Sequence, residues 1–177
     1  MSGSNGYGNA LFLLAKEEGA IEEVASDLTA ASAIFKGNPD YAKLLDTPAI
    51  KKEERLALID EAFSSLHYSV VNLLKILCES HLVYTFKGVA SAYSLLYDEY
   101  NGIERVEAVT AIPMTQKQVA AMEEKLMRIT GKKIILKNTV EPKILGGVML
   151  RYSGTQLDGS VKSRLDAFSD SLKNTTL

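Results

Sequence analysis

Near residue 101 the hydrophobic pattern of this chain changes period, and any fold must satisfy both halves. Before that point apolar residues recur every three or four positions, as on one face of an amphipathic helix. Ile21, Val24, Leu28, Ala31 and Phe35 are one such series. After it, "RVEAVTAI", Arg105 to Ile112, alternates with period two and is rich in Val, Ile and Thr, which suits a pleated strand.

The first part reads as six helices. Tyr7 to Glu18 ends at Gly19, which can take the left-handed cap. Ile21 to Phe35 follows, then a short helix through Leu45 with Pro39 at its start. Thr47 reads as the cap of a fourth helix with Pro48 at its first position. Ser69 to about Val83 is the fifth, and Tyr84 to Tyr100 the sixth, closed by Asn101–Gly102. In the second part a strand precedes a helix capped by Thr115 and ended by Gly131. Strands follow at "KKIILKNTV" and "GGVMLRY". Ser153–Gly154 turns the chain into a short strand through Leu157. Asp158 reads as the cap of a last helix with Val161, Leu165, Phe168 and Leu172 on one face. The expected fold class is α plus α/β: an N-terminal six-helix bundle over residues 1–103, then a small α/β layer domain over residues 104–177.

The 177 residues suffice for one ordinary domain or two small ones. A formal net charge of −2 argues against a nucleic-acid partner, which usually meets a basic face. "GKKIILK" is the nearest basic cluster, and its alternation suits a strand with one wet face. Cys78 is the single cysteine, so no internal disulfide can form, and a reducing compartment fits. No apolar run approaches the roughly 18 residues of a membrane span. The opening "MSGSNGYGNALFLL" resembles neither a signal nor a transit peptide. The expectation is a chain kept in the cytoplasm, with any membrane association made through a partner and no insertion of its own.

Two helices carry more apolar surface than a bundle helix needs. In the first, Ala10 to Ala15 spread over most of the helical circumference. In the fifth, Asn72, Lys75 and Glu79 form one narrow polar wedge. Either both helices are central in the bundle, or they lie side by side and leave a groove for a partner's amphipathic helix.

Reactive chemistry is hard to assemble. Cys78 and His81 stand three apart, but no orienting group or oxyanion site accompanies them. Two histidines and one cysteine show no zinc-ligand spacing. The carboxylate pairs of "EEVASD", "KKEER" and "MEEK" read as solvated helix faces. "LGGV" matches neither phosphate-loop pattern, and Gly146–Gly147 reads as a backbone bend or close approach. No catalytic, cofactor-binding or metal-binding residue is expected.

"GGVMLRYSGTQLDGSVKSRLDAF" is similar to the C-terminal signature of the delta subunit of F-type ATP synthases, counterpart of the mitochondrial oligomycin-sensitivity-conferring protein. Gly146, Gly147, Val148, Arg151, Asp158, Gly159, Ser160, Val161, Lys162, Arg164 and Leu165 match it in order. "YGNALFLLAKEEG" resembles the family's opening, with Gly8 where alanine is usual. "LLKILCESH" resembles the fifth helix, although Glu79-Ser80-His81 departs from the usual Asn-Gly-Arg.

The resemblance implies a non-catalytic subunit of the peripheral stalk, the stator of a proton-driven rotary enzyme, present in single copy. It implies that helices one and five receive the N-terminal helix of an alpha subunit. Carried onto this chain, the groove residues are Tyr7, Ala10, Leu11 and Leu14 with Leu73, Ile76 and Leu77. It implies that the C-terminal domain binds the C-termini of the b subunits. Its motif residues there are Gly146, Gly147, Val148, Arg151, Asp158, Gly159, Ser160 and Arg164. The expected location is the cytoplasmic face of a bacterial cell membrane, peripherally, in the F1 sector. A generic helical adaptor unrelated to ATP synthase is the competing reading, and an enzyme the third.

Overall fold

The computed structural model describes residues 3–144, 146–152 and 155–160. The chain divides into two compact units, Met1–Tyr100 and Asn101–Leu177. Among the described residues the chain is mostly helical, with one small sheet.

The first unit holds α1 (Gly3–Glu17), α2 (Ile21–Gly37), α3 (Pro39–Asp46), α4 (Lys52–Ala62), α5 (Tyr68–Glu79) and α6 (Phe86–Tyr100), with a 3-10 turn over Val83–Thr85 before α6. Each helix points its apolar stripe at one shared core. Phe12, Val24, Leu28, Ile59, Phe63, Leu74, Leu77, Val89 and Tyr93 are among its buried members. Phe35 sits against Tyr41, Phe63 and Phe86, with ring centroids 5.2 to 6.0 Å apart. α1 packs closely on α6 at Gly8. A Cβ there would stand 2.6 Å from the Ala92 Cβ and 3.0 Å from the Val89 carbonyl oxygen. Glycine where the family resemblance leads one to expect alanine thus lets two backbones meet.

Several boundaries differ from expectation, and α1 begins at Gly3, ahead of Tyr7. α4 begins at Lys52, and Thr47 is instead the C-cap of α3. A threonine followed by proline suits a helix end as well as a start, because proline cannot continue a helix. α5 stops at Glu79 and α6 starts at Phe86, with the 3-10 turn between. His81 occupies the left-handed region there at φ 53°.

The second unit has strands β1 (Ile103–Thr110), β2 (Lys133–Val140), β3 (Gly147–Tyr152) and β4 (Thr155–Ser160), with α7 (Gln116–Thr130) between the first two. The sheet order is β2-β1-β3-β4. β1 and β2 are parallel, as a helical crossover requires, and the other pairs are antiparallel. α7 opens on a capping box made by Thr115 and Gln118, and ends on Gly131 at φ 69°. Val119, Met122 and Leu126 pack on Val106, Ala108, Ile134 and Leu136. Asp158 is not a helix cap. It pairs with Met149 in β4, and Gly159 and Ser160 continue that strand opposite Val148 and Gly147. The expected last helix lies outside the described residues, and Arg164 with it.

Candidate functional site

α1 and α5 lie side by side, and burial divides the seven groove residues. Leu11, Leu73 and Leu77 are in the core, at 5%, 5% and 0% exposure. These three belong to the bundle's own core and offer no free surface. Tyr7 is half-buried. Ala10 is exposed, Leu14 is 39% exposed and Ile76 49%. The apolar excess of α5 is thus largely absorbed by its own core, since Val70, Leu74 and Cys78 are buried as well. α1 keeps more of its excess outside. Leu13, at 60% exposure, extends its outer face and was not among the expected residues. Its position on the wheel beside Ala10 was the signal that could have found it.

Polar contacts close one end of this pair. The Tyr68 hydroxyl donates to Glu18, just past α1, and the Ser69 hydroxyl donates to the same carboxylate at 3.3 Å. The bond from Tyr68 to Glu18 holds the phenol above its ordinary value. A carboxylate is favourably placed at the N-terminus of α5, where the helix dipole is positive.

In the second unit the motif glycines serve the backbone. Gly146 and Gly147 have φ of 142° and 89°, a region costly for other residues. A Cβ on Gly159 would lie 3.0 Å from the Val148 carbonyl oxygen of the next strand. Arg151 stands opposite Glu107 and pairs with it at 3.6 Å and with Glu141 at 3.9 Å. Thr139 donates a hydrogen bond to Glu107, which with Arg151 holds that carboxyl below its usual range. Gly146, Gly147 and Val148 also line an open cleft of about 590 Å³, with Ile112, Met114 and Met122 opposite. Its lining is mainly apolar, with Gln118 and Lys125 among the polar members.

The Cys78–His81 pair does not form. Cys78 is buried with its thiol directed at the Leu45 carbonyl oxygen, 3.3 Å away, and burial pushes the thiol up, away from the reactive thiolate. His81 Nδ1 lies 2.8 Å from the Asp46 carbonyl oxygen. Arg55 corrects the reading of "KKEER" as a solvated face. It is 4% exposed and donates to the carbonyls of Leu45 at 2.8 Å and Cys78 at 3.0 Å. It therefore ties together the last turns of α3 and α5, where a cation suits both dipoles. Among the described residues no group of three or more His, Cys, Asp or Glu could hold a metal ion.

The family model "ATP synthase delta (OSCP) subunit" matches residues 4–172. The chain is similar to "ATP synthase subunit delta" of Clostridioides difficile, 31% identical, with 96% of this chain and 94% of the relative covered. It is also similar to "ATP synthase subunit 5, mitochondrial" of Candida glabrata, at 31% identity over 96% of this chain and 85% of the relative. Its fold is like that of a chain in the cryo-EM structure of the Toxoplasma gondii mitochondrial ATP synthase hexamer. There the TM-score is 0.76 and the identity 22%, and 97% of this chain and 98% of that one are covered.

Proposed function

The chain belongs to the ATP synthase delta (OSCP) subunit family, and from that premise we propose that it joins two parts of the enzyme through two separate surfaces. The subunit is a non-catalytic component of the peripheral stalk and a peripheral part of the F1 sector. Among the described residues no helix is long and apolar enough to cross a membrane. Family membership sets aside the generic adaptor and the enzyme.

In the proposed arrangement the first unit is the six-helix bundle expected over residues 1–103. Its α1–α5 groove receives the N-terminal helix of an alpha subunit. Residues 104–177 form the α/β domain that holds the C-termini of the b subunits, in the motif-lined cleft beside α7. The subunit works at the cytoplasmic face of a bacterial cell membrane, in single copy. Its task is mechanical: the head must not turn with the rotor, so both contacts must dissociate slowly under load. Apolar anchors in a groove set the off-rate, whereas rim charges act mainly on association.

The observation that carries this reading is the exposed apolar set on adjacent helices, Ala10, Leu13 and Leu14 with Ile76, beside a floor of Leu11, Leu73 and Leu77. Such a strip suits an amphipathic helix with anchors at i, i+3, i+4 and i+7. Ile76→Glu tests it. An alpha N-terminal peptide should bind this variant at least about tenfold more weakly, as for loss of a central anchor. The circular dichroism spectrum should stay unchanged. Equal affinity would reject the groove.

A further inference from the structure

The end of α1 meets the start of α5 at one bridge, and the exposed strip leads away from it along both helices. The Tyr68 hydroxyl donates to Glu18 Oε1, and the Ser69 hydroxyl donates to Oε2 of the same carboxylate at 3.3 Å. Glu18 keeps the helical register of α1, because its amide still bonds the Leu14 carbonyl oxygen at 3.0 Å. Residues four apart share a helix face, so Glu18 stands one turn beyond Leu14, with Ala10 a further turn back. On α5 the same spacing puts Tyr68, Asn72 and Ile76 in one row. Tyr68 is 55% exposed, more than Ile76, and its ring lies beside that of His67 with centroids 4.6 Å apart. The groove residues expected from the sequence do not include it.

A tyrosine offers a partner a broad apolar face with one polar tip and few rotamers to lose. Here the bond to Glu18 restrains the ring before anything binds, which lowers the entropy cost of docking on it. From Tyr68 to Ile76 the row rises about 12 Å, roughly two helical turns. The polar side of the bridge sets a direction. A carboxylate only accepts hydrogen bonds, and a phenol oxygen that donates its hydrogen can still accept one. Glu17, exposed beside it, adds a second negative charge, while Lys16 is directed at the Tyr100 ring, 5.3 Å from its centroid. A helix N-terminus brings free N–H groups and the positive end of its dipole, whereas a C-terminus brings free carbonyls and the negative end. We infer that Tyr68 is a further anchor of the groove and, with Glu18, its end stop: the docked alpha-subunit helix packs on the Tyr68 ring and points its N-terminus at the bridge. This inference rests on the groove reading above.

Two measurements on the full chain test the stop. In the first, the alpha N-terminal peptide carries a nitroxide at the start or at the end of its helix, and amide broadening is read by two-dimensional NMR. The label at the start should broaden Glu18, Tyr68 and Ser69, and the label at the end should broaden Tyr7 and Ser80. In the second, peptide affinity is measured for Tyr68 variants. Tyr68→Ala should bind at least about tenfold more weakly, as for loss of an aromatic anchor, with an unchanged circular dichroism spectrum. Tyr68→Phe keeps the ring and loses the bridge, so its affinity should fall between the two. Parental affinity in Tyr68→Ala would overturn the anchor, and the reversed broadening pattern would overturn the direction. Either result alongside weakened binding by Ile76→Glu would leave the groove standing without this stop. Labels that broaden neither α1 nor α5 would reject the groove reading itself.

Discussion

Gly8 shows how one atom can decide a helix crossing. Alanine is the better helix former by about 1 kcal/mol, so Gly8→Ala should stabilise a helix standing alone. Here the new methyl would meet Ala92 at 2.6 Å, too near for any real side chain. α1 and α6 must part, and the variant should lose about 1–3 kcal/mol in urea unfolding. Ala92→Gly in the same background should recover only part of it, because the Val89 carbonyl oxygen, 3.0 Å away, remains. Tyr93 gives a second residue-level prediction. Its buried hydroxyl donates to the Ile21 carbonyl oxygen at 2.9 Å. Burial first, then the charge of Glu22, push the phenol from 10.0 up to about 12. The folded state resists the phenolate, so this contribution to stability is whole below the unfolded value of 10.0. It is lost as pH rises towards about 12. Tyr93→Phe should lower stability at neutral pH yet flatten its decline over that alkaline window, as read by urea unfolding at a series of pH values. A parental slope in the variant would show that the decline arises elsewhere. Neither role could be read from the sequence, where Gly8 looks like a weak first turn and Tyr93 like one more apolar position. Both depend on which helix lies opposite.

Elements were legible where local chemistry settles them. Thr115 and Gly131 mark both ends of α7, and the structure keeps them as cap and left-handed terminus, with Gln118 completing a capping box. The period-two runs became β1 and β2, but burial alternates only in β2, where Ile134 and Leu136 lie between exposed neighbours; β1, an inner strand, is buried without a break over Ala108, Val109 and Thr110. Legibility failed where one local pattern serves two ends. Thr47-Pro48 closes α3 rather than opening α4, and Asp158-Gly159-Ser160 extends a hairpin strand rather than capping a helix. Arg55 was illegible because charge density in "KKEER" suggests solvent, whereas its place is set by two helix ends distant in sequence. Arg55→Met keeps the bulk and removes the donors. It leaves the Leu45 and Cys78 carbonyls without that partner, which should cost about 2–3 kcal/mol. Hydrogen exchange should accelerate first at the C-termini of α3 and α5. Equal acceleration throughout the first unit would mean that Arg55 does not act locally.

At the scale of the whole molecule, the chain folds as two compact units that meet in sequence between Tyr100 and Asn101, close to where the hydrophobic period changes. Two units allow two partners, and two linked contacts raise the effective concentration of each, so the joint exceeds either affinity alone. This makes a demand that single-contact models do not. Ile76 lies in the first unit and the Gly146–Val148 cleft in the second, so a change at one should leave binding at the other untouched in the free chain. Ile76→Glu should therefore weaken the alpha peptide and spare a peptide from the b C-terminus, measured by titration calorimetry on the same preparation. In the assembled enzyme the same variant should speed release of the head from the stalk. Because the lost anchor is apolar, raising the ionic strength should not reproduce its effect on the off-rate, while it should slow association. Loss of both peptide affinities together would mean that the two surfaces are not independent, and the picture of one subunit holding the head and the stalk through separate contacts would have to be given up.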